Sequence, residues 1–426
     1  MKKLNASYWP LWQRLLFRFG MIYILLYSLP FPLDQLPYMD WLGAATKAVW
    51  EPIANLIAVN ILGIEAVVDQ QGGSGDTTYN YVHLISLMSF SLLGTLIWSL
   101  LDRKRKAYKE LFYYFYVYLR YYLAIVLMLY GFVKIIKLQF PFPGLIRLTE
   151  PLGDFSPMGL LWTFMGYSEP YNWFTGFGEA LGGFLLFFRR TTTLGSLVII
   201  AVMSNVVVLN FSYDVPVKLF SMHLLGFAII LMMLDIRRLW NVLIMNKTAL
   251  PVELPDPKLN KQGKWVQWGL KFLVIVWVMY GNISDGIDNR SKYGSERPKP
   301  EMYGLYEIET FVQNGDTLAP LTTDSTRWQY IALDRPDMVI LKTMTRKLTY
   351  LQMESDSLEN LFRWNQFGDT TNVYSMRYSR NDSALLSLEG IYQSDTLSMN
   401  FRRIDPKDFL LVNREFHWVN EYPFNR

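Results

Sequence analysis

The sequence contains no cysteine in 426 residues. That excludes disulfides, thiolate metal sites and any electron relay through protein thiols. It leaves the compartment open, because a periplasmic protein functions without cysteine. No basic block has the spacing of a nucleic-acid reader, and the net charge is only +4, so DNA and RNA are not expected partners. Nucleophile elbow, HExxH helix and Walker loop are all missing. No catalytic constellation and no metal site are therefore expected.

What the chain does have is apolar and aromatic surface. Hydrophobic residues make up 51% and aromatics 16% of it, and the mean hydropathy is +0.12. That average lies between soluble and polytopic chains and fits a membrane part joined to a soluble part. Seven stretches are long and apolar enough to cross about 30 Å of hydrocarbon: 14–31, 82–101, 112–136, 171–188, 193–211, 217–234 and 265–283. Arginines interrupt the first and no small-residue cleavage site follows it, so it reads as an uncleaved span.

Basic residues set the expected orientation. Lys2, Lys3, Arg14 and Arg18 flank the first span; DRKRKAYK (102–109) follows the second; Arg189 and Arg190 follow the fourth; DIRRLWNVLIMNK (235–247) and KLNKQGK (258–264) lie between the sixth and seventh. All fall on one side, the cytoplasmic one. The expectation is a multi-pass protein of the inner membrane, with the lipid bilayer as partner, a cytoplasmic N-terminus and a periplasmic C-terminal domain.

The outer segments are long. Residues 33–66 predict one or two amphipathic helices lying on the membrane surface. In GGSGDTTYNYVH (72–83), Asp76 is expected to cap the second span, in preference to an anion-binding turn. The proline-containing segment 137–170 is expected to fold as a lid over the outer end of the bundle. From 302 the pattern changes to eight or nine short strands, from YGLYEIETFV to FLLVNREFHWV, separated by turn clusters such as ESDS, SRNDS and QSDT. These predict an antiparallel meander closing as a barrel or sandwich, with FHWVNEYPFNR (416–426) read as the last strand closing it. A barrel of this size holds one ligand or none.

Ionisable and amide side chains inside spans mark candidate sites. Glu179, Lys134, Asn205 and His223 all fall in the outer half of the bilayer by about 1.5 Å rise per residue, with Asn210 above Asn205. Thr175, Gly176, Glu179, Gly182 and Gly183 share one helical face of small residues, which predicts packing against another helix. Glu179 should then point into the bundle, with Lys134 as its cation. Two readings follow: a structural ion pair that fixes helix packing, or a polar pocket holding the head of an amphipathic ligand. A carboxylate, an ammonium and an imidazole suit a quinone carbonyl. A haem held by His83 and His223 is the weaker reading, because their depths do not match. Arg120, among tyrosines in YYFYVYLRYY (113–122), reads as a snorkelling residue in an interfacial aromatic belt.

The stretch Gly131-Phe-Val-Lys134, followed by Glu179-Ala-Leu-Gly-Gly-Phe-Leu-Leu-Phe-Phe-Arg-Arg-Thr, resembles the DoxX family of small membrane proteins. That family has a four-helix core with G-x-x-K toward the end of its first helix and E-x-x-G-G-x-L-L-x-x-x-R-x-T in its second. The resemblance covers about residues 111–240 and places Lys134 and Glu179 on motif positions; SYDVPVK and LDIRRL resemble the ends of the last two helices. It implies a membrane partner of redox systems, some members being subunits of a thiosulfate:quinone oxidoreductase. The chain departs from that pattern by its first, second and seventh spans, its long first outer loop and its β-domain.

The expected organisation is two spans with a long outer loop (1–110), a DoxX-like four-helix core (111–240), a cytoplasmic loop with the seventh span (241–283), a linker (284–301) and a periplasmic β-domain (302–426). The expected fold class is thus a membrane all-α bundle plus an antiparallel β-barrel or sandwich. The expected function is a quinone- or lipid-binding subunit supporting a redox or envelope process, with Glu179, Lys134, His223 and Asn205 around the ligand. The alternative is a non-enzymatic scaffold whose β-domain recruits a protein partner.

Overall fold

A computed structural model describes residues 8–36, 38–69, 73–250, 260–369, 371–382 and 384–425. Lys2 and Lys3, the first residue of the 72–83 turn, and Lys258 and Leu259 of the basic stretch lie outside the described residues. The chain divides into two units: residues 1–140 with 157–289, and residues 141–156 with 290–426.

The first unit is helical. Its helices are α1 (Leu11–Tyr27), α2 (Trp41–Ile57), α3 (Thr78–Leu101), α4 (Lys109–Ile135), α5 (Pro157–Tyr167), α6 (Glu169–Leu186), α7 (Thr192–Ser212), α8 (Lys218–Met233), α9 (Ile236–Leu243) and α10 (Lys261–Lys292). Each of the seven apolar stretches lies on one of these helices. Among the described residues four segments, not seven, are long and apolar enough to cross a membrane: Thr78–Leu101, Lys109–Ile135, Arg189–Ser212 and Lys261–Lys292; a fifth arises if α8 and α9, bent by 74°, count as one span. Helix α10 continues into the expected linker, as far as Lys292.

The centre of this unit is the contact between α4 and α6, and its cause is glycine. A Cβ on Gly176 would lie 2.6 Å from the Gly131 carbonyl oxygen, and one on Gly183 would lie 2.8 Å from that of Ala124. Only hydrogen fits at this seam, so the backbones approach to a distance that larger residues forbid. Around it pack Leu123, Leu127, Phe187, Ile199 and Ala228, all fully buried.

Helix ends are tied across long sequence separations. Asp76 caps α8, not α3: its carboxylate accepts from the backbone N–H of Lys218 (2.7 Å) and of Leu219 (3.0 Å). Helix α3 is capped by Thr77, which forms a reciprocal capping box with Asn80. Arg120 does not snorkel. It is 4% exposed, and its Nε and Nη2 both donate to the Leu186 carbonyl, at 3.0 and 2.8 Å, satisfying the C-terminus of α6. A cation with an apolar stem serves here because the free carbonyl lies inside the bundle.

The second unit is a closed β-barrel. Strands β1 (Gly304–Gln313), β2 (Asp316–Thr317), β3 (Trp328–Arg335), β4 (Met338–Thr343), β5 (Leu348–Asp356), β6 (Leu361–Gln366), β7 (Tyr374–Asp382), β8 (Leu385–Tyr392) and β9 (Asp395–Ile404) pair antiparallel. The short β2 pairs with the end of β1, and β9 returns to pair β1 from Leu305–Ile404 to Gln313–Leu397, closing eight strands. Inward residues fill the interior, among them Trp364, Phe362, Phe401 and Trp328. Strand β7 runs through the expected SRNDS turn, with a bulge between Ser379 and Asp382.

Two expectations fail in this unit. The C-terminal segment supplies no closing strand: β9 has already sealed the barrel, and a single helical turn, α11 (Leu410–Asn413), precedes irregular chain. Residues 141–156, expected as part of a lid over the bundle, belong instead to the barrel unit. Leu145 and Ile146 pack on Leu305, Ala332 and Ile340. The 98%-buried Lys342 donates to the Thr149 carbonyl (2.9 Å) and hydroxyl (3.0 Å). The segment is an apolar strap over an apolar patch on the outer barrel face.

Candidate functional site

Lys134 lies in the last turn of α4 and Glu179 near the middle of α6. Gly176 and Gly183, three before and four after Glu179, put the carboxylate on the seam side of its helix. Lys134 stands three residues after Gly131, on the seam side of α4. The two side chains meet as expected: Lys134 Nζ donates to Glu179 Oε1 at 2.8 Å and Oε2 at 2.7 Å, with the residues 7% and 2% exposed. A desolvated pair of this kind is retained only when each charge has its counter-charge.

A cavity of about 760 Å³ opens beside the pair. Its wall is mostly apolar, with Leu127, Leu181, Val206 and Leu224 from the bundle helices. Helix α5 contributes Met158, Leu161, Trp162 and Met165, part of a cluster with Phe140 and Val215. The α5 half of the 137–170 segment thus does line the bundle cavity. Polar groups are few: Lys134, Glu179, Gln139, Thr175, Asn205, Asn210 and Ser221, with the tyrosines Tyr130 and Tyr171. Asn210 donates to the Ser221 hydroxyl at 3.0 Å. Gln139 keeps its Oε1 buried with no hydrogen-bond partner among the described residues.

Asn205 lines this cavity, so three of the four expected site residues share it. His223 does not. It lies on a second cavity of about 350 Å³. Its Nδ1 is 2.6 Å from the Leu219 carbonyl, and its Nε2 is 2.6 Å from the Tyr23 hydroxyl. A carbonyl only accepts, so in the neutral ring Nδ1 carries the proton and Nε2 accepts from tyrosine. Both nitrogens are thereby used, which removes His223 as a partner of the ion pair. Helix α8 turns it toward α1, where it stacks on Tyr27 at 3.8 Å between centroids. His83 lines the same second cavity. Among the described residues no group of three or more His, Cys, Asp or Glu side chains is arranged to hold a metal ion.

Sequence reasoning missed Tyr130, whose ring centroid is 5.9 Å from Lys134 Nζ and which lines both cavities. Its signal was available: it precedes Lys134 by four residues and so shares its helix face. Gln139 and the α5 side chains had no such signal, because loop geometry brings them in.

No family model matches the chain, and no solved structure matches it. Among curated proteins it is similar to the uncharacterized protein YwoB of Bacillus subtilis, 32% identical over 125 residues, which are 29% of this chain and 78% of that protein. Through that stretch the chain belongs to the family of YwoB.

Proposed function

We propose that this is a multi-pass membrane protein that holds an amphipathic molecule, a quinone or a lipid, with its polar head at Lys134 and Glu179. One observation carries the reading: a cavity of about 760 Å³, largely apolar, with a buried ion pair in its wall. A structural ion pair needs no cavity beside it. An apolar chamber with a few convergent polar groups has the form of a small-molecule site. The orphan Gln139 Oε1 adds an acceptor for a ligand hydroxyl.

The pair suits a carbonyl or hydroxyl head. The ammonium supplies a donor, the carboxylate an acceptor, and a proton passed between them neutralises both. The membrane setting, with a cytoplasmic N-terminus and a periplasmic barrel, is supported by four segments among the described residues that are long and apolar enough to cross a membrane, five if α8 and α9 count as one span, and by the distribution of basic residues. The DoxX-like reading of residues 111–240 is supported by the motif residues meeting as one ion pair on a glycine seam. It adds a redox or envelope role to the ligand site and assigns no catalytic step.

Mass spectrometry of organic extracts tests the proposal, using wild type and equally folded Glu179→Gln. Near-stoichiometric quinone or one enriched lipid in wild type, lost in the variant, is expected. No enriched small molecule in either protein would overturn the ligand reading.

A second reading, a scaffold that recruits a protein, is favoured by the exposed aromatics of the C-terminal segment. Phe416, Trp418 and Tyr422 are 76%, 91% and 75% exposed. A partner that co-purifies with wild type and is lost from Trp418→Ser with Phe416→Ser is the outcome expected of it.

A further inference from the structure

The second cavity carries a site of its own. Among the described residues its lining includes no Asp, Glu, Lys or Arg. Rings line much of it, Tyr27, Phe31, Tyr122, Tyr130 and Phe220, with His223 stacked on Tyr27, beside the aliphatic Leu84, Leu87, Val217 and Leu219. Asn80 also lines it, but its Oδ1 accepts from Thr77, so His83 supplies the unpartnered polar group. Its ring lies against Tyr79, stacked at 5.7 Å between centroids, and Trp50, tilted at 5.3 Å. Its Nε2 is buried and makes no hydrogen bond among the described residues. A buried, unpaired imidazole nitrogen costs free energy unless something meets it. His223 cannot be that partner, since both its nitrogens are engaged.

We infer that this cavity binds an uncharged planar ring bearing an oxygen substituent, with His83 Nε2 making the hydrogen bond. The uncharged lining excludes ions, and aromatic walls favour a flat ring over a branched chain. About 350 Å³ is the low end of small-molecule sites and suits a one- or two-ring molecule. Imidazole is donor or acceptor according to tautomer, so a ring carbonyl and a ring hydroxyl both satisfy it. Haem is disfavoured, because His223 is committed to Leu219 and Tyr23 and cannot also ligate iron. The inference stands on residues of the second cavity and does not depend on the Lys134–Glu179 reading.

The test is calorimetric titration of the full chain in detergent with 1,4-naphthoquinone, 1-naphthol and naphthalene. A chain without cysteine offers the quinone no thiol to alkylate. In wild type at least one oxygenated ring is expected to bind about tenfold or more tightly than naphthalene, one good buried hydrogen bond. Which of the two binds separates a carbonyl ligand from a phenolic one. His83→Phe keeps a stacked ring and should erase that preference; His83→Gln keeps a donor and an acceptor and should retain most of it. Equal binding of all three rings to wild type would overturn the inference, even if His83→Phe failed to fold. So would a preference that survives His83→Phe.

Discussion

Single side chains in this protein matter through what they leave behind when removed. Lys134 and Glu179 are each other's principal solvent. Replacing either by Ala strands a buried charge, at a cost of about 3–5 kcal/mol. The double replacement should cost clearly less than the sum of the two, and a double-mutant cycle of denaturant unfolding in detergent measures that coupling. Additive losses would mean the pair does not interact in the folded protein. Asp369, on the barrel unit, shows the opposite regime, an exposed carboxylate held by hydrogen bonds. The Thr371 hydroxyl, the Asn372 amide and the backbone N–H groups of both residues hold it well below its ordinary value of 3.8. Its folded form therefore binds fewer protons than the unfolded form near that value. Its contribution should be whole above 3.8 and fade as pH falls through the lower folded value. Asp369→Asn should flatten that part of the acid-unfolding curve.

Between elements, the governing features are close approach and capping. The α4–α6 seam admits no Cβ at Gly176 or Gly183 without displacing backbone. Gly183→Ala should thus cost about 1–3 kcal/mol and lower the thermal midpoint, whereas Gly226→Ala, with nothing within 4 Å of the added Cβ, should not destabilise by packing. Asp76→Ala removes both bonds to the start of α8 and should cost about 1 kcal/mol. Its effect should appear as faster amide exchange in the first turn of α8, not of α3, which has its own cap. Protection lost at α3 instead would contradict the assignment.

In the molecule as a whole, two units fold around separate cores, and the barrel borrows a strap from the middle of the helical sequence. Leu145 and Ile146 cover apolar side chains of β1, β3 and β4 that no barrel strand covers. Leu145→Asp in the full chain should open that face. Hydrogen exchange should quicken in β3 and β4 and stay unchanged in α4 and α6. Exchange rising equally in both units would argue against two separate cores.

Apolar runs located the helices because a buried helix needs an uninterrupted hydrophobic stretch, and alternation located the barrel strands for the same local reason. The pairing of Lys134 with Glu179 was legible because glycine spacing fixes which way a glutamate points and because one lysine lay at matching depth. The C-terminal segment and the SRNDS turn were misread locally; the other failures are non-local. Whether a capping carboxylate serves its own helix or one 142 residues later, whether Arg120 meets lipid headgroups or a buried carbonyl, and whether residues 141–156 cover helices or strands depend on which surfaces meet in space. His223 makes the same point at the site. Its depth matched the ion pair, but helical phase turned it to another cavity, which His83 also lines. Sequence alone determined the periodic elements, the charge-balanced pair and the absence of thiol chemistry, because these are properties of spacing and composition. Only the tertiary structure decided the two cavities, the strap and the caps, because each is made by segments whose separation along the chain carries no information about their distance.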